Sequence, residues 1–159
     1  MIEILKEIDI DIDIKRCEDV IRENNYLEIV IAIEEISDKY RNKISHMSEN
    51  ENNVVWNYNR KNLEEIEKHL ISYKEELILK EKERTIAEKL ANIKVYIEEN
   101  NVKNKNIILE NIDFMEEINN KDITLDEKWM ELKKSLDLIK SFSREISIYI
   151  LEIIILIAK

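Results

Sequence analysis

Apolar and polar positions recur along this chain with the period of a helix. Leu63, Ile66, Leu70, Tyr73 and Leu77 are spaced by 3, 4, 3 and 4 residues, which puts them on one narrow stripe of an α-helix. No turn residue interrupts 54–99, so this stretch is predicted to be a long helix, reaching roughly 65 Å at the α-helical rise. Its stripe loses phase after Leu77 and resumes with Ile86, Leu90, Ile93 and Ile97. Between the two sets, residues 80–84 are all charged but have good helix propensity. The helix is expected either to run through them with a stutter or to break there into two. In the first case it carries two packing surfaces, one for the N-terminal helices and one for the helix beginning at Thr124.

The other segments follow the same logic. Residues 8–14 alternate Ile and Asp, which is a strand pattern, yet Ile10, Ile14, Cys17 and Ile21 also keep helical phase. No partner strand is evident elsewhere, and a lone strand is unstable. A helix starting near Asp9 or Asp11 is therefore expected. Ile29, Ile33, Ile36, Tyr40, Ile44 and Met47 form a second stripe, and Ile108, Ile112 and Met115 a third. Thr124 and Glu127 have capping-box spacing. From Leu125 through Trp129, Leu132, Leu136, Ile139, Ile146, Ile150 and Ile153 the phase holds, so 124–158 is expected to be a second long helix. The expected architecture is all-α: a single domain over 1–159, a helical bundle with two long helices and about three shorter ones.

Composition supports this. The chain has no glycine and no proline, the residues that punctuate sandwiches, barrels and doubly wound sheets. Asn24-Asn25, Asn52-Asn53, Asn100-Asn101 and Asn119-Asn120 are expected to end helices instead, because Asn tolerates the left-handed region. With 35 acidic and 25 basic residues the formal charge is −10, which repels nucleic-acid backbones and argues against DNA binding. The single cysteine, Cys17, permits no internal disulfide. A cytoplasmic setting is the default, and the first residues do not form a signal peptide. The bias towards Ile, Asn, Lys and Glu fits AT-rich bacterial or phage coding sequence.

Much chemistry is excluded. Without glycine there is no phosphate-cradling loop, no dinucleotide turn and no Gly-flanked nucleophile elbow. His46 and His69 are the only histidines, and neither has a Glu three residues before it, so the di-iron bundle motif is missing. Neither a metal nor a cofactor is expected. Residues 146–158 are apolar apart from Ser147 and Glu152. That run is shorter than the roughly 20 residues a membrane span needs, and a helix apolar all round is expected in a core or a self-association seam.

One stretch carries candidate chemistry: Arg41-Asn42-Lys43-Ile44-Ser45-His46. It resembles the Arg-Asn-x-x-x-His signature of HEPN-type ribonucleases, a family of small helical proteins common in toxin–antitoxin and abortive-infection systems. The resemblance covers these six positions and the helical character. It implies metal-independent RNA cleavage, with His46 as general acid or base, Arg41 on the scissile phosphate, Asn42 as orienting residue and a homodimeric site. Lys39, Lys43, Arg60 and Lys61 would then supply a local basic patch. The leading expectation is different: a non-enzymatic helical module that meets a protein partner, or another copy of itself, through apolar helix faces. Phage or bacterial inhibitors, immunity proteins and antitoxins are of this kind. RNA is a partner only under the ribonuclease alternative.

Overall fold

The computed structural model describes residues 2–45, 47 and 58–159. Among them are six helices: α1 (Ile2–Glu23), α2 (Tyr26–Tyr40), α3 (Arg60–Glu99), α4 (Lys105–Asn120), α5 (Leu125–Ile139) and α6 (Arg144–Ala158). No strand occurs among the described residues. The Ile/Asp alternation is helical, as expected, but the helix begins at Ile2 and not near Asp9 or Asp11.

The chain divides into two compact units, Met1–Leu79 and Lys80–Lys159. Each has its own core. In the first, Leu63, Ile66 and Leu70 of α3 are buried with Ile10 and Cys17 of α1 and with Ile29, Ile33, Ile36 and Tyr40 of α2. In the second, Ile86, Leu90, Ile93 and Ile97 of α3 are buried with Ile108, Ile112 and Met115 of α4, Leu132 of α5, and Ile146, Ile150 and Ile153 of α6. The phase slip marks a change of partner along a helix that does not break. The charged stretch stays helical, with Arg84 paired to both Glu81 and Glu88.

Asparagine provides the left-handed turns that glycine usually makes. Asn24 has φ 52° directly after α1 and Asn104 φ 62° directly before α4. Of the Asn pairs expected to end helices, only Asn24-Asn25 has a left-handed member among the described residues. Asn25 caps α2, its side-chain oxygen accepting from Leu27 N–H at 3.0 Å. The long helix starts later than the expected 54. That position lies outside the described residues, but Tyr58 and Asn59 are not helical and α3 begins at Arg60. There the Asn59 side-chain oxygen accepts from Asn62 N–H at 3.3 Å and so takes up an end donor.

The second long helix is a correction. Residues 124–158 are two helices, α5 and α6, packed against each other. Apolar phase survives the interruption because Phe142 packs against the core from the link. Serines make the break. Ser141 Oγ donates to Leu138 O at 2.7 Å, and Ser143 Oγ accepts from Ile146 N–H at 3.4 Å. Short hydroxyl side chains thus satisfy backbone groups at both helix ends.

Candidate functional site

The Arg-Asn-x-x-x-His stretch begins where α2 ends. Tyr40 is buried, and its carbonyl accepts from Lys43 N–H at 2.9 Å and from Ile44 N–H at 3.0 Å. Ile44 and Met47 turn back into the core. Burial on either side therefore holds residues 41–43 at the surface. Arg41 is exposed and pairs with Asp38 at 3.3 Å. Asn42 is exposed in the turn. His46 lies outside the described residues.

Of the four cations expected to form a basic patch, three are engaged. Lys39 Nζ lies 2.6 Å from Asp13 Oδ2, Lys43 Nζ stands 5.4 Å from the Tyr40 ring centroid, and Arg60 Nε is 2.9 Å from Glu64 Oε1. Lys61 is exposed on α3. A phosphate would have to compete with these contacts.

Beneath the turn is a polar cluster that the sequence pattern did not single out. Asp13 is only 7% exposed. Besides Lys39, it accepts from the Tyr40 hydroxyl at 2.7 Å. Burial, then the hydrogen bond to Asp13, pushes the Tyr40 phenol above its usual range, so it stays protonated and donates. Tyr73 meets the Tyr40 ring edge-on at 6.4 Å. The cavity alongside, bordered by Asp9, Ile10 and Lys43 among others, measures about 120 Å³. The cluster is internally neutralised and joins α1 to α2.

Cys17 is buried, and its thiol is pushed up to about 12, mainly by burial and then by the Glu67 charge. It is protonated at neutral pH and is no nucleophile. Among the described residues no group of three His, Cys, Asp or Glu side chains is placed to hold a metal ion. No helix among them is long and apolar enough to cross a membrane.

An exposed apolar surface lies on α6. Ile146, Ile150, Ile153, Ile154 and Ile157 face the core. On the opposite side Ile148, Leu151 and Ile155 are 49, 38 and 50% exposed. Their steps of 3 and 4 align them in a second apolar stripe. Glu152 flanks the stripe and binds Lys89 of α3 at 3.2 Å. The apolar excess of this run was legible in the sequence; which side stays uncovered was not.

Two further buried polar residues, Asn111 of α4 and Ser135 of α5, have side-chain polar atoms without a hydrogen-bond partner. Nothing in the sequence marked them, since a single polar residue on a helix normally faces solvent.

No family model, curated protein or solved structure matches the chain.

Proposed function

We propose that this protein is a non-enzymatic helical interaction module, of the kind to which small bacterial or phage inhibitors, immunity proteins and antitoxins belong. The outer stripe of α6 supports this reading. One helix buries five isoleucines on one side and leaves Ile148, Leu151 and Ile155 in water on the other. A contiguous apolar stripe costs solubility unless something covers it. The neutralised Asp13 cluster, the protonated Cys17 thiol and the engaged cations near Arg41 also fit binding better than catalysis.

Replacing Ile148 and Ile155 together by Lys tests the proposal. Both positions are half exposed, so the melting temperature should barely move, surface changes being worth within about 0.5 kcal/mol. Self-association in sedimentation, or capture of a specific protein from the native host or its phage, should be lost. If wild type and the double variant behave alike in both measurements, this surface is not the interface. An RNA-cleavage assay comparing wild type with His46→Ala supplies the contrast. Equal, background-level cleavage is expected, and activity that disappears with His46 would establish the ribonuclease in place of the module.

A further inference from the structure

An open groove between α4 and α5 is lined by Ile107, Glu110, Asn111 and Phe114 from one helix and by Lys134, Ser135 and Leu138 from the other, and holds about 330 Å³. That is the size at which small-molecule pockets begin. Its walls are mainly apolar. Asn111 is 3% exposed and Ser135 1%. Neither the Asn111 Oδ1, nor its Nδ2, nor the Ser135 Oγ has a hydrogen-bond partner. Buried amides are nearly always paired, so three unpaired polar atoms in one groove call for a reason.

The geometry points to a small-molecule site here, for a flat apolar group bearing a primary carboxamide or a cyclic lactam. The Asn111 amide has an acceptor and two donors. A ligand with adjacent C=O and N–H groups meets it with two parallel hydrogen bonds. A carboxylate or an amine satisfies only half of it. Ser135 supplies a hydroxyl that accepts or donates. Phe114, Ile107 and Leu138 cover the apolar part of the ligand. Seating requires Asn111 to turn towards the mouth, and no hydrogen bond holds it back. The site is independent of the outer face of α6, so either proposal stands if the other fails.

The test is a titration of the full chain, followed by backbone amide NMR, with benzamide as probe and ethylbenzene as the matched compound lacking the amide. Benzamide should produce saturable shifts at Ile107, Asn111, Phe114, Ser135 and Leu138. Asn111→Leu should weaken its binding about tenfold, with Ser135→Ala acting in the same direction. Both variants remove an unpaired polar group, so they should fold; a melting curve checks this. The assignment is overturned by an absence of saturable shifts, or by equal binding of ethylbenzene. Equal binding of benzamide to Asn111→Leu also overturns it. So does an ordered water at Asn111 with benzamide silent, or a response to a protein partner alone.

Discussion

Asp13 receives both of its hydrogen bonds from α2, through Lys39 and Tyr40. The two partners differ in what they lose without it. Lys39 is partly exposed and can turn to water, whereas the Tyr40 side chain is buried and leaves an unpaired hydroxyl. Asp13→Ala should therefore destabilise the protein by about 1.5–3 kcal/mol, and Tyr40→Phe by roughly 1.5 kcal/mol. In a double-mutant cycle the two effects should fall short of adding. Full additivity in denaturant titrations would show that the hydrogen bond contributes nothing. Asp13 also shows where the sequence becomes opaque at this scale. It sits three residues after Ile10 and four before Cys17, on the buried stripe, but an alternating Ile/Asp run presents all its acids as equivalent. Only the position of Lys39 and Tyr40 on a second helix distinguishes it. Of the ribonuclease-like stretch, Arg41 and Asn42 lie at the surface, a placement that follows from the apolar Tyr40 and Ile44 on either side.

Elements were legible where apolar spacing and caps agreed. Every residue of the stripe from Ile29 to Met47 is buried, although the helix itself ends at Tyr40 and Ile44 and Met47 reach the core from beyond it, and the capping box at Thr124 forms. There, Glu127 N–H donates to Thr124 Oγ1 at 3.2 Å, while the Thr124 N–H and hydroxyl donate to Glu127 Oε2 at 2.8 and 2.9 Å. These hydrogen bonds hold the Glu127 carboxyl below its usual value of 4.5. A depressed folded-state pKa adds stability that is present above the unfolded value and lost as pH falls through the folded one. Thr124→Ala should cost about 1 kcal/mol at neutral pH and less in acid, where Glu127 is protonated in both states. A cost independent of pH in thermal melts would remove the carboxylate from the cap. The join between α5 and α6 was illegible for the opposite reason. Phe142 keeps the apolar phase while Ser141 and Ser143 end one helix and begin the next, so periodicity and capping point different ways. The outer face of α6 was half legible: sequence shows that the run is too apolar for one buried stripe, but only the packing of the second core decides which residues stay outside.

At the scale of the whole molecule, two cores draw on one helix. Leu63, Ile66 and Leu70 serve the first, and Ile86, Leu90, Ile93 and Ile97 serve the second. The charged residues 80–84 belong to neither core. The sequence announced this in the slip between the two stripes. The backbone of α3 is common to both cores, which gives cooperativity between the halves a route. Cys17 makes that cooperativity measurable. It is the chain's single thiol, it is sealed in the first core, and its reactive form is suppressed by the raised pKa. A thiol reagent reaches it only when that core opens. Ile33→Val should speed its labelling about 2- to 10-fold, from the roughly 0.5–1.5 kcal/mol such a truncation costs. Ile150→Val, in the second core, should leave the rate unchanged. Equal acceleration by both would mean that the two cores come apart as one. The cysteine is in effect a stopwatch built into one half of the protein, started by the opening of that half alone.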